Sequence, residues 1–228
     1  MSNARDLQQF LVSKGAQITV DGAVGPATRN ALYTLFANKN APKASTEQIT
    51  GIARSLGASF KQLDAFAKVE SAGGGFQDSG HPKILWERHY FWKRLRVKVP
   101  LISDPKPGGY TLDANRNGVN DSWEKLLLGC SRNPVAAFES ASWGKFQIMG
   151  AHWKALGYAS VFDFAWSMRE TEFGHYEAFA RFIRVNGLAP LLRKVSTDPA
   201  DNVPLVRRYN GPAFAKNRYH IKLAEAMR

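Results

Sequence analysis

Apolar positions recur at helical spacing along most of the chain. In RDLQQFLVSKG, Leu7, Phe10 and Leu11 share one face and Gly15 is placed to end the helix. After the Asp21-Gly22 turn pair, Pro26 takes a first-turn position, and Ala31, Leu32, Leu35 and Phe36 line one side of a second helix. STEQ and SFKQ read as capping boxes, Ser45 with Gln48 and Ser59 with Gln62. They open two further helices: one carries Ile49, Ile52, Ala53 and Leu56, the other Phe60, Leu63, Phe66, Ala67 and Glu70. The remainder is mostly helical, with a β-hairpin expected around HPKILWERHYF and a turn region at SASWGKFQIMG. No internal repeat is visible. The predicted class is mainly α.

NKNAPKAS, residues 38–45, is polar and lacks periodicity, which divides the chain into a small unit at 1–37, a linker and a larger unit at 46–228. In the first unit, LQQFL followed by VDGAVGPATRNAL resembles the peptidoglycan-binding domain 1 family, a three-helix module carried by many wall-degrading enzymes. That resemblance implies a wall-binding module ahead of a catalytic domain.

Composition fits this setting. The 228 residues carry 31 Lys+Arg against 19 Asp+Glu, a formal charge of +12 that favours a polyanionic partner such as an acidic cell-wall polymer. No helix-turn-helix, ribonucleoprotein or zinc spacing accompanies the charge, so a nucleic-acid partner is not expected. The lone Cys130 excludes internal disulfides and a cysteine cage, and the five histidines show no ligand spacing, so no catalytic cofactor is expected. The N-terminus lacks the basic and apolar regions of a secretory signal and no 18-residue apolar run occurs, which predicts a cytoplasmic product without stable membrane insertion. A monomer is expected.

AFAKVESAGGGF places one carboxylate, Glu70, where an apolar helix stops and glycines begin. Burial and a helix C-terminus both raise a carboxylic acid's pKa, and the glycines would let a bulky chain approach the backbone, so Glu70 suits a general acid in glycoside hydrolysis. A second carboxylate has two candidates: Glu87 in ILWERHYF, on the opposite wall, or Asp78 in the intervening loop, which would hold or activate water. A one-carboxylate mechanism is the third option. In SASWGKFQIMG, Ser142, Gly144, Phe146 and Gln147, beside Trp143, suit a turn that stacks on and hydrogen-bonds a sugar. In RRYNGPAF, Tyr209 and Asn210 precede the last helix.

Glu-Ser, Gly-x-Phe-Gln and Tyr-Asn-Gly in that order resemble goose-type lysozymes and lytic transglycosylases, and the fuller set across residues 60–228 resembles the N-acetylmuramidase domain of phage endolysins. The resemblance implies a lysozyme-like α-rich domain that cleaves the β-1,4 bond between N-acetylmuramic acid and N-acetylglucosamine of peptidoglycan, with Glu70 as acid. It further implies a lysin that accumulates in the host cytoplasm and reaches the wall through a holin. A lytic transglycosylase, an interbacterial wall-degrading effector and a non-catalytic virion component are the alternatives.

DANRNGVNDSWE, residues 113–124, satisfies the twelve-residue calcium-loop pattern. Asp113, Asn115, Asn117, Asp121 and Glu124 would supply side-chain oxygens, Val119 its carbonyl, and Gly118 the sharp turn, giving a structural Ca²⁺ site. An Asx-rich surface loop without metal is the alternative.

Overall fold

The structure is a computed structural model that describes residues 3–71 and 74–228. Among them are twelve α-helices and one small sheet. Helices α1 (Asn3–Ser13), α2 (Pro26–Phe36), α3 (Thr46–Ser55) and α4 (Phe60–Ser71) lead to strand β1 (Ile84–Trp86) and α5 (Arg88–Leu95). A long insertion ends in α6 (Asp121–Cys130) and α7 (Pro134–Glu139), followed by β2 (Ala141–Trp143) and β3 (Ile148–Met149). Then come α8 (Val161–Glu170), α9 (Glu172–Val185), α10 (Ala189–Leu192), α11 (Pro199–Asn210) and α12 (Tyr219–Ala226).

Both capping boxes form as their spacing requires: Ser45 and Gln48 close the start of α3, and Ser59 and Gln62 close that of α4. Gly15 and Gly57 adopt φ of +98° and +68° just past α1 and α3, where a Cβ would oppose the turn.

The sheet differs from the expectation. The hairpin is not at 81–91 but within SASWGKFQIM, where β2 and β3 pair antiparallel, Trp143 opposite Ile148. β1 joins the outside of β2, with Ile84 opposite Trp143 and Trp86 opposite Ala141. A three-residue apolar run flanked by Lys83 and Glu87 carries no local signal for its partner, which lies almost sixty positions away. Beneath the sheet sits an aromatic core of Phe36, Trp123, Phe138 and Trp143, and the buried indole N–H groups all find acceptors: Trp86 on the Ile102 carbonyl, Trp123 on that of Pro82, Trp143 on that of Phe138 and Trp166 on the Glu170 carboxylate.

The division at 37 is not visible in the packing. Residues 3–37 hold two helices rather than three, and their buried face of Leu7, Leu11, Leu32 and Phe36 belongs to the same core as the rest. Phe36 meets Trp123, Phe138, Trp143 and Trp166 with ring centroids 5.4–6.2 Å apart. The VDG turn is held from within by Gln8, which donates to Asp21 and accepts from the Gly22 amide. Nor does the segment 38–45 hang free. Asn38 donates to the Arg169 and Glu170 carbonyls, and Ala44 N donates to Glu172 at the start of α9.

Candidate active site

Glu70 lies in the last turn of α4 because the capping box at Ser59 sets that helix's phase and its apolar face turns inward. One turn earlier, Phe66 is buried against Phe179 and edge-on to Tyr209. The Glu70 side chain is half-buried, and burial pushes its pKa up to about 7. Asn210, at the end of α11, works against that shift by donating from Nδ2 to both Oε1 (3.0 Å) and Oε2 (3.2 Å) of Glu70. The Asn210 Oδ1 atom is buried and has no partner among the described residues.

Glu70 opens onto a cleft of about 690 Å³. Its walls are the loop from Gly74 to Ser79, the entry to β1 (Lys83, Ile84, Leu85), the Gly144–Lys145–Gln147 turn, and the lip Leu112, Asp113 and Gly118–Asn120. The structure therefore brings Asp78 into the cleft with Glu70 and leaves Glu87 out of its lining. Glu87 precedes the first residue of α5 and accepts a 2.7 Å hydrogen bond from the Tyr110 hydroxyl, with His89 Nδ1 3.2 Å away. Of the three glycines after Glu70, Gly74 and Gly75 line or underlie the cleft, and Gly73 lies outside the described residues.

The expected turn is present, but its side chains are disposed differently from the expectation. Trp143 and Phe146 are buried, Phe146 stacking on Phe179 at 4.3 Å, so they form the floor rather than a stacking surface. Ser142 is also buried and donates to Gln147 Oε1. Gln147 is exposed in the cleft with φ +48°, yet its amide is engaged by the turn itself, Nε2 donating to the Gly144 carbonyl. Tyr209 ties α11 to this turn through a 2.9 Å bond to the Phe146 carbonyl; burial, and then the charge of Glu70, raise its phenol pKa well above the ordinary value.

Reading the sequence missed His175. Its ring is fully buried beneath the cleft, donating from Nε2 to the Met168 carbonyl and accepting at Nδ1 from the Lys145 amide at 2.7 Å. Burial holds its pKa down to about 4, so it is neutral in the working range. It packs under both glycine segments of the cleft. A Cβ on Gly144 would come within 2.5 Å of His175 Nδ1, and one on Gly75 would overlap the same ring. Glycine at both positions is what allows the loop after α4 and the Gly144–Gln147 turn to share one support. A histidine in EFGHYEAF carries no pattern that distinguishes it from a packing residue.

The insertion at 113–124 forms the far lip. Asp113 accepts from the Asn117 and Gly118 amides, and Gly118 has φ +79°. Asn115 and Asn117 direct Nδ2 at the Glu124 carboxylate, and the buried Asp121 accepts from Ala114 N. Among the described residues, no three His, Cys, Asp or Glu side chains converge as a metal site.

Residues 59–228 match the Muramidase family, described as N-acetylmuramidase. The whole chain superposes on a crystal structure of the Burkholderia AP3 phage endolysin with a TM-score of 0.72 and 30% identity, covering 100% of this chain and 94% of that one. No curated protein sequence matches it. A raised-pKa carboxyl over an aromatic floor, facing a long cleft in a mainly α fold, is what a lysozyme-like glycosidase requires, and the chain belongs to the N-acetylmuramidase family.

Proposed function

We propose that this muramidase is an endolysin that cleaves peptidoglycan glycan strands between N-acetylmuramic acid and N-acetylglucosamine, with Glu70 as general acid. The observation that carries the reading is the Glu70 carboxyl, protonated up to about pH 7 and placed at the cleft. It gives its proton to the glycosidic oxygen as the bond to the sugar's anomeric carbon breaks. Water then adds to that carbon and returns a proton. Asp78, which lines the same cleft, is proposed to orient that water, whereas Glu87 is held by the Tyr110 hydroxyl. The net charge of +12 favours retention on an anionic wall.

The VDGAVGP turn beside α2 is proposed to add wall affinity from within the shared core rather than as a tethered module. Among the described residues no helix is long and apolar enough to cross a membrane, and release to the wall through a holin completes the endolysin reading. The 113–124 lip is proposed to take Ca²⁺ through the oxygens of Asp113, Asn115, Asn117, Asp121, Glu124 and the Val119 carbonyl, with the ion displacing the amide contacts that now hold Glu124.

Digestion of purified sacculi tests the function. Fragments ending in reducing N-acetylmuramic acid are expected; 1,6-anhydro ends would assign transglycosylation instead, and no release of glycan fragments would refute the reading.

A further inference from the structure

After α5 the chain turns at Arg96 (φ +57°) and forms a tight hairpin in which Val99 and Ser103 exchange both backbone hydrogen bonds. The hairpin is anchored at its base. Ile102 is buried, its carbonyl accepts the Trp86 indole N–H at 2.9 Å, and Ser103 Oγ donates to the Val97 carbonyl. At the tip sits Leu101, 72% exposed and with φ +69°. Two costs thus coincide in one residue: a branched side chain in the left-handed region, where glycine or asparagine is the relaxed choice, and a large apolar group in water. Val97, four positions earlier and 57% exposed, adds a second exposed apolar group to the segment.

The surroundings are cationic. Residues 88–109 carry Arg88, Lys93, Arg94, Arg96, Lys98 and Lys106 against the single carboxylate of Asp104. The Lys98 side chain is 70% exposed and only loosely paired, 3.8 Å from Asp104. No residue of this stretch lines the cleft.

We propose that this hairpin docks on a lipid bilayer bearing anionic headgroups, with Leu101 and Val97 entering the acyl boundary and Lys93, Arg96 and Lys98 meeting the headgroups. Apolar tips ringed by cations bind such surfaces by combining buried area with electrostatic attraction. An anionic polysaccharide would use the cations but would give no reason for a strained, exposed leucine, so the observations favour the bilayer. The inference is independent of Glu70 and its chemistry.

The test is co-sedimentation of the full chain with vesicles of phosphatidylglycerol and phosphatidylcholine, compared with pure phosphatidylcholine. Binding only to the anionic vesicles is expected. Leu101→Gly keeps every charge and relieves the backbone, so partitioning should fall about tenfold or more while Tm rises by about 2–4 °C. The pair Lys93→Gln and Lys98→Gln should weaken binding more than Lys154→Gln with Lys194→Gln, which remove equal charge on other elements. Unchanged partitioning of Leu101→Gly, or equal losses from the two lysine pairs, would overturn the proposal and leave a non-specific polyanion surface. Absence of binding to either vesicle would overturn it as well.

Discussion

Asn210 Nδ2 donates to both carboxylate oxygens of Glu70, at 3.0 and 3.2 Å, across 140 positions of sequence. The contact opposes the burial that raises the Glu70 pKa, so it sets where the acid titrates. Replacing Asn210 with Ala removes a group that favours the charged carboxylate. The alkaline limb of kcat/KM should therefore move above its wild-type position near pH 7, even as the maximal rate falls. A limb that stays fixed or moves to lower pH would separate Asn210 from the titration of the acid.

Stability should carry the same signature. With the Glu70 pKa raised from 4.5 to about 7 in the folded state, the native protein binds more protons than the unfolded chain across that window. Stability contributed by this residue is therefore lost as pH rises through it. Glu70→Gln removes the penalty. Its unfolding free energy should match the wild type near pH 4 and exceed it at pH 8, by at most about 3 kcal/mol. Urea melts at the two pH values check this, and equal offsets at both would contradict it.

The support under the cleft can be removed separately. His175→Leu leaves the Lys145 amide without an acceptor in a buried place, costing about 1–3 kcal/mol. By loosening the Gly144–Gln147 turn it should also lower kcat about tenfold to a hundredfold. His175→Asn, whose side-chain oxygen can accept in place of Nδ1, should recover part of both. Because His175 is neutral above about pH 4, neither variant should move the alkaline limb assigned to Glu70.

Truncation distinguishes a shared core from a tethered module. Phe36 packs on Trp123, Phe138, Trp143 and Trp166, so removing residues 1–37 opens the core beneath the sheet. The truncated chain should lose its cooperative melt together with activity on soluble glycan fragments. A truncated protein that melts like the wild type and turns over fragments normally would restore the division at 37.

Much of this architecture was legible locally. The capping boxes at Ser45 and Ser59, the glycine stops and the position of Glu70 at a helix end all depend on neighbours within a few residues. What was not legible depends on distant partners. β1 pairs with β2 rather than closing its own hairpin, Phe36 is claimed by aromatics from three later helices, and Asp78 rather than Glu87 lines the cleft with Glu70. Trp143 and Phe146 looked like sugar platforms because aromatic residues in a glycine-bearing turn serve either purpose; only burial separates a platform from a floor.

Calcium at the 113–124 lip, if bound only by the folded protein, raises Tm by mass action. Millimolar calcium should raise Tm, chelator should lower it, and Glu124→Gln should abolish the response. Because Asp113 and Val119 also line the cleft, activity on sacculi should rise in parallel. A Tm indifferent to calcium and chelator, with no calorimetric signal, would leave the lip closed by its own Asn–Glu contacts.

The most direct measurement is mass spectrometry of the fragments released from purified sacculi by wild-type protein and by Glu70→Gln at equal concentration near pH 6. The wild type should yield disaccharide-peptides with reducing N-acetylmuramic acid ends, and the variant should be slower by at least about a hundredfold while melting cooperatively. A folded Glu70→Gln that releases the same fragments at more than a tenth of the wild-type rate would contradict the assignment of Glu70 as the acid.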